Sequence, residues 1–381
     1  MPVTHSALSD LLELAGNFSR KEIEPADLSG DHPQTFDKTL FSKAGSLGLT
    51  GITAPETYGG LEQDFESYAL VLEEIAVCSS SFAVTLAVNG LPQNILIKHG
   101  TEKQKQEWLG NFVEGKKLGS FALTEPHCGS DAAALKTRAI KKGSSYILNG
   151  SKQFITNAGY SDGCMVLART SESAHSGISC FYVEADRAGF TWGKKEDKMG
   201  WRTSPTGSIV LEDVEVPEDH RIGPEGNGFT IAMEALDAGR ITIAATAVGI
   251  ARRSLEESVK YARARSAFGK NLAEFQGLQW MIADMDVKVS AARLLVLEAA
   301  RRRDAGRSYA REASQAKLFA TDTAMQVSTD AVQILGGYGY MKEYPVERYM
   351  RDAKLMEIGA GTNEVMRLIL ARELLGVNST D

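Results

Sequence analysis

The sequence predicts a mainly α protein with a central β-domain, and three observations carry that prediction. Apolar residues recur at helical spacing up to about residue 113, alternate with a period near two between about 118 and 223, and return to helical spacing from Phe229 onward. An order of helices, then strands, then helices excludes a doubly wound parallel sheet, in which strand and helix alternate. It divides the chain into an N-terminal α-helical domain at 1–117, a middle β-domain at 118–228 and a C-terminal α-helical bundle at 229–381.

In the first part, "FDKTLFSKAGSLGLTGI" and "FESYALVLEEIAVCSSSFAVTLAVNGLPQNILIKHG" space apolar residues at three and four, and Gly100 stops the second run. "APETYGG" is a loop between helices. In the middle part, "SYILNGSKQFITNA" predicts a hairpin with Asn149-Gly150 as its turn. "CMVLART", "ISCFYVEA" and "GSIVLEDVEVP" are further strands, enough for a small barrel or sandwich. In the last part, Phe275, Leu278, Ile282, Met285, Val289, Ala292 and Val296 form one helical stripe. Ala316, Phe319, Thr323, Val327, Ala331 and Ile334 form another, which ends at Gly336-Gly337. Stripes of this length build a bundle. "AKLMEIGAGTNEVMRLIL" predicts a strand-like or irregular approach, a tight turn at Gly359-Ala360-Gly361 and a helix opening at Thr362-Asn363.

Composition narrows the function. A net charge of −7 argues against a nucleic-acid surface, which needs clustered Lys and Arg. No apolar run is long enough for a bilayer, and the first residues lack the basic start and apolar core of a secretory signal. Cys78, Cys128, Cys164 and Cys180 show no metal spacing and read as reduced thiols of a cytoplasmic protein; six scattered histidines give no metal pair. No P-loop, HExxH, GxSxG or strand-linked GxGxxG is present.

Four stretches can carry chemistry. "FALTEPHCGSD" offers Thr124, Gly129 and Ser130 to a ligand's polar edge. "KQFITNAG" sets an aromatic beside a hydroxyl and an amide, which suits a flat heterocycle. "RARSAFGKNLAEFQ" places Arg265, a possible pyrophosphate ligand, between two helices. "DAVQILGGYGY" ends a helix with glycines that permit close backbone approach. A polar turn, a core strand, a solvated helix end and a plain helix cap explain each stretch alone as well.

Their order and spacing together resemble the acyl-CoA dehydrogenase family over nearly the whole chain, through "LTEPHCGSD", "KQFITNAG", "KMGWRTSPT", "LDAGRITIAATAVGIA", "RSAFGKNLAEFQ", "QILGGYGY" and "GTNEVMRLILAREL". The resemblance implies N-terminal helices, a middle β-barrel domain, a C-terminal four-helix bundle, bound FAD and a homotetramer built as a dimer of dimers. It implies that Phe121, Leu123, Thr124, Gly129, Ser130, Phe154, Ile155 and Thr156 hold the isoalloxazine. Arg265, Phe268, Gln276, Gln333, Ile334, Gly336 and Gly337 would hold the adenine dinucleotide part across a subunit interface, with Thr362 and Glu364 against the cofactor. Ser130, Asp237, Arg240, Ala360 and Gly361 match positions that contact the acyl-CoA. The implied reaction is α,β-dehydrogenation of a short- or medium-chain acyl-CoA or acyl-carrier thioester in fatty acid metabolism. A base takes the α-proton, the β-hydride goes to the flavin, and electrons leave to an electron-transferring flavoprotein. No metal is implied.

The resemblance also exposes a gap. Family members carry the base as a glutamate at the position that is Ala360 here or, in a subset, at the position that is Gly239. This chain has neither. Three accounts stay open: another carboxylate serves, with Glu357 and Asp237 as candidates; the substrate is unusually acidic or the reaction slow; or the chemistry is non-oxidative, such as desulfination, or the chain is a partner subunit. His127 and Cys128 stand where relatives often have small residues, and Pro205 and Gly207 where they often have Asp and Arg.

Overall fold

In the computed structural model, residues 5–31 and 34–377 are described. The N-terminal part is helical: α1 (His5–Phe18), α2 (Glu24–Gly30), α3 (Lys38–Ser46), α4 (Phe65–Cys78) and α5 (Ser80–His99), then α6 (Glu102–Gln104) and α7 (Gly110–Val113) joined by a π-helical turn. Short polar side chains set the starts. Asp37 accepts from Thr39 N, Asp64 from Ser67 N and Ser79 from Phe82 N, while Thr101 and Gln104 form a capping box.

The middle part is one eight-stranded sheet. Its strands are β1 (Gly119–Ala122), β2 (Arg138–Lys142), β3 (Ser145–Thr156), β4 (Gly163–Arg169), β5 (Ile178–Glu184), β6 (Phe190–Lys195), β7 (Thr206–Pro217) and β8 (Arg221–Ile222). The order is β6-β7-β3-β2-β4-β5-β8, with β1 parallel to β4. Asn149-Gly150 is not the hairpin turn that its type predicts. β3 runs straight through it, and the β2–β3 turn lies earlier, at Gly143-Ser144. The pair instead lies opposite a bulge in β7, where Glu212 and Asp213 face the single residue Asn149. There the Asn149 side-chain amide donates to Asp213 Oδ1 at 2.9 Å and accepts from Asp213 N at 2.9 Å, which replaces the ladder bonds lost to the extra residue.

The C-terminal part contains α8 (Gly228–Ala264), a small hairpin of β9 (Ser266–Ala267) and β10 (Lys270–Asn271), α9 (Gln276–Asp304), α10 (Ala310–Leu335), α11 (Val346–Met356) and α12 (Asn363–Leu375). α8, α9 and α10 pack side by side, α11 lies against α10 and α8, and α12 lies on α10. The approach to the Gly359-Ala360-Gly361 turn, expected to be strand-like, is the last part of α11. That helix buries Val346, Tyr349, Ala353 and Met356 at spacings of three and four. The largest core joins α1, α4 and α5 to α8, α9 and α10, so both helical parts share one interior. Two smaller cores flank the sheet.

Candidate functional site

The first set of expected cofactor residues lies where β1 leaves the sheet. Thr124 O accepts from Gln153 N at 2.9 Å, which pins the segment alongside β3. Glu125 and Cys128 exchange backbone bonds at 3.0 and 3.1 Å around a tight turn, leaving Gly129 and Ser130 exposed just beyond it. Beneath the turn is a buried ion pair that sequence reasoning missed: Lys152 Nζ donates to Glu125 Oε1 at 2.7 Å and to Leu123 O at 3.1 Å. Burial works to raise the Glu125 carboxyl. Lys152, Thr137 and the Lys136 N–H outweigh it and hold the group below its ordinary value. The readable signal was a lysine in an apolar strand facing an acid in the preceding segment.

β3 itself bulges between Lys152 and Ile155. Phe154 there adopts a left-handed φ of 58°, and its ring is 64 % exposed, while Ile155 is buried. Thr156 pairs with Thr206, and its carbonyl accepts from Ser120 Oγ at 2.8 Å. The bulge thus puts one aromatic ring outside the sheet next to the Thr124–Gln153 link.

The second set surrounds an open groove of about 540 Å³ lined by Tyr261, Arg265, Leu272, Ile334, Gly336 and Gly337 among others. A Cβ built on Gly336 or Gly337 meets nothing within 4 Å, so their backbone faces free space. The Arg265 guanidinium lies over the Tyr338 ring at 5.6 Å. Phe268, at 96 % exposure, and the exposed Gln276 and Gln333 lie on the same ends of α8, α9 and α10. A positive side chain, open backbone and an apolar wall fit a dinucleotide's phosphates and adenine. Thr124, Thr156 and the displaced Phe154 fit a flavin ring with a polar edge. Within the single chain these are two separate surfaces.

The third set is the turn after α11. Ala360 has φ 54° and Gly361 φ 90°. Thr362 caps α12 by accepting from Val365 N at 3.3 Å, with Glu364 exposed in its first turn. Among the described residues no backbone bond uses the Ala360 N–H. On α8, Arg240 is buried and bonded to Asp237, and its Nε has no acceptor among the described residues. Burial raises the Asp237 carboxyl, partly offset by Arg240. A Cβ on Gly239 meets only Leu91, at 3.6 Å. Glu357 accepts from Lys354 Nζ at 2.6 Å.

Similarity to known proteins follows the same three-part division. Signatures described as acyl-CoA dehydrogenase N-terminal, middle and C-terminal domain match residues 6–116, 120–214 and 226–375. The chain belongs to the acyl-CoA dehydrogenase family. An acyl-CoA dehydrogenase of Bacillus subtilis is 47 % identical over 366 residues, covering 96 % of this chain and 97 % of that one. The structure of butyryl-CoA dehydrogenase from Megasphaera elsdenii is similar at a TM-score of 0.96 and 45 % identity, covering 98 % of this chain and 99 % of the other. A chain from the study of the electron transferring flavoprotein of Acidaminococcus fermentans and flavin-based electron bifurcation is similar at 0.96 and 46 %, with the same coverage.

Against this acyl-CoA dehydrogenase framework, two substitutions gather into one place. His127 and Cys128 lie with Glu125 so that their ligating atoms fall within 4.8 Å of one another. They do not make a metal centre, because the Glu125 oxygens already take Lys152 Nζ, Lys136 N and Thr137 N. The Cys128 thiol is pushed up by burial, which suits a packed residue rather than a nucleophile.

Proposed function

We propose that this acyl-CoA dehydrogenase family member is an FAD-dependent oxidoreductase that desaturates a short- or medium-chain acyl thioester, carried by CoA or a carrier protein, between its α and β carbons. The carrying observation is the left-handed turn at residues 359–361, whose Ala360 N–H is used by no bond among the described residues, while on α8 Arg240 has an Nε without an acceptor among those residues and Gly239 has an open side. FAD, when bound, supplies the hydride acceptor. The Ala360 N–H donates to the thioester carbonyl and stabilises charge developing on its oxygen. Leu91 and the bare Gly239 backbone leave room for an acyl chain and keep water from it. Arg240, held by Asp237, orients the thioester. The butyryl-CoA dehydrogenase likeness supports a short chain, and the flavoprotein-study likeness supports an electron-transferring flavoprotein as electron acceptor.

The cofactor's two surfaces are joined when a second copy brings its groove to the first copy's β-domain. The reading therefore includes a homotetramer, a dimer of dimers. α9 supports it with Trp280, Val287 and Leu294, exposed at a seven-residue spacing along one face. Among the described residues no helix is long and apolar enough to cross a membrane, which accords with a cytoplasmic place.

A second reading rests on the absent carboxylate. Asp237 is two residues from Gly239, on the opposite side of α8, and is bonded to Arg240; Glu357 is bonded to Lys354. With both candidate carboxylates engaged, the chain either takes a thioester whose α-proton is already acidic or performs non-oxidative chemistry or a partner-subunit role. Anaerobic mixing with an acyl-CoA panel separates these. Bleaching of the oxidised flavin band with formation of the enoyl thioester supports desaturation. A flavin that no thioester bleaches dismisses it.

A further inference from the structure

Lys317 lies in the middle of α10, and its side chain is fully buried. Taking an ammonium out of water is costly unless it finds acceptors. Here Nζ donates to Gly361 O at 2.8 Å and to Asn363 Oδ1 at 2.8 Å. Asn363 is fixed on every side. Thr321 Oγ1 donates to its Oδ1 at 3.0 Å, its Nδ2 donates to Asp322 Oδ1 at 2.6 Å, and its N–H donates to Glu357 O at 2.9 Å. One face of α10 thus grips both the last carbonyl of the turn and the first residue of α12. The turn needs such a grip. Ala360 is a left-handed residue with a Cβ, a conformation that costs about 1 kcal/mol or more and persists only when its surroundings hold it.

We propose that Lys317 is the positioning residue of the thioester-binding turn: its ammonium fixes the Gly359–Thr362 backbone so that the Ala360 N–H stays aimed at the substrate carbonyl, and it adds positive charge behind that peptide. This rests on the reading that an acyl thioester binds at the turn. A merely structural role needs only a donor to Gly361 O and Asn363 Oδ1, which an uncharged amide supplies without burying a charge. The surroundings make the ammonium titratable. Burial first, then the Arg240 guanidinium on α8, bring it down to about 8, against the opposing pull of Asp322 on its own helix, Glu357 at the end of α11 and Glu364 on α12.

The test uses holoprotein titrated with crotonyl-CoA, read by the visible flavin spectrum. Wild type is expected to bind evenly up to about pH 7.5 and about tenfold more weakly by about pH 9.5. Lys317→Met is expected to bind about tenfold more weakly at neutral pH and to lose the break near pH 8, with FAD content and melting temperature close to wild type; Lys317→Gln, which keeps a donor, falls between. A wild-type profile without the break, or a Lys317→Met protein that binds and titrates as wild type does, overturns the proposal. If Lys317→Met does not fold, the wild-type profile and Lys317→Gln decide. If wild type binds no thioester at any pH, the functional reading falls and hydrogen exchange of the peptide at 356–366 decides instead. Exchange at least about fivefold faster in Lys317→Gln supports the grip, and unchanged exchange ends it.

Discussion

Ala360 is in a left-handed conformation, and a glutamate placed there carries the same Cβ, so it adds little backbone strain. Its half-buried position beside Gly361 puts a new carboxylate at the turn proposed to meet the thioester. Since a general base contributes on the order of 10²–10⁴ in rate, Ala360→Glu is expected to speed anaerobic flavin bleaching by butyryl-CoA by a factor in that range. A rate left unchanged would mean that the site is deficient in more than its base. The two other carboxylates predict differently. Glu357 is satisfied by Lys354, so Glu357→Gln should leave bleaching within about threefold of wild type. Asp237 holds the buried Arg240, and Asp237→Asn leaves that guanidinium without its anion. The expected result is a raised KM for the thioester with a smaller change in kcat, measured by steady-state kinetics, because an orienting contact is lost rather than a proton acceptor. A collapse of kcat alone in Asp237→Asn would make it the base. Lys317 belongs to the same scale, and its charge opposes folding even though its hydrogen bonds hold the turn. Its depressed value means that the unfolded chain holds a proton the folded protein has lost between about pH 8 and the ordinary 10.5, so its ionisation opposes folding below that window and the penalty fades as pH rises through it.

At the scale of elements, β3 does most to place the proposed cofactor residues, through its own bulge at Gln153-Phe154 and the bulge of β7 opposite Asn149 rather than through regular pairing. Gly150, at φ 151°, lets β2 approach so closely that a Cβ would lie 2.5 Å from Thr137 Oγ1 and 2.7 Å from Thr137 Cα. Thr137 N in turn donates to Glu125 Oε1 at 3.0 Å. Gly150→Ala must therefore move backbone that supports the Glu125–Lys152 pair. The expected cost is about 1–3 kcal/mol, seen as a lower melting temperature with weakened FAD retention on dialysis. Full FAD retention at wild-type stability would show that β2 gives way freely. This strand also marks how much could be read in advance. The α, β, α order, the helix opening at Thr362 and the glycines that end α10 at the groove follow from local periodicity and cap chemistry. Asn149-Gly150 misled because the same dipeptide suits a turn and a strand position opposite a bulge, and only cross-strand pairing with Asp213 of β7 distinguishes them. The end of α11 misled because "AKLMEI" alone is under two turns, too short to show a period; the pattern appears once Val346 and Tyr349 join it. Glu125–Lys152 and Lys317–Gly361 escaped because each links residues 27 and 44 apart, a proximity that no local spacing reports.

At the scale of the whole molecule, two features decide whether the parts act together. The α9 face with Trp280, Val287 and Leu294 is expected to be covered in the assembly, so Leu294→Glu should lower the mass seen by light scattering toward a dimer or monomer; an unchanged tetramer would place the interface elsewhere. Inside the chain, the three parts meet at a buried charge junction. Arg348 of α11 pairs with Asp27 of α2 at 3.1 Å, while Asp352 accepts from Trp201 N at 2.7 Å, in the loop after β6, and from Ser80 Oγ at 2.8 Å, at the start of α5. Burial raises Asp352 from its ordinary 3.8 to about 6, against the pull of Arg348. Between those two values the folded protein keeps a proton that the unfolded chain has released. This group's contribution is therefore favourable at and below about pH 4, declines as pH rises through about 6, and is level above. Asparagine fits the same bonds: its oxygen accepts from Trp201 N, and its amide donates to a Ser80 hydroxyl turned to receive it. Asp352→Asn should then remove this slope. Other groups act in the opposite direction, Glu184 among them: burial raises it, but His220 and Arg187 outweigh that and hold it down at about 2. The informative quantity is thus the difference in melting temperature between wild type and Asp352→Asn, measured on holoprotein at about pH 5 and about pH 7. Wild type should lose ground to the variant on going to the higher pH, by an amount on the order of 1–3 kcal/mol. An equal difference at both pH values would mean that Asp352 is ionised throughout and that the junction is held as a full ion pair with Arg348 rather than as a shared-proton contact between the three parts.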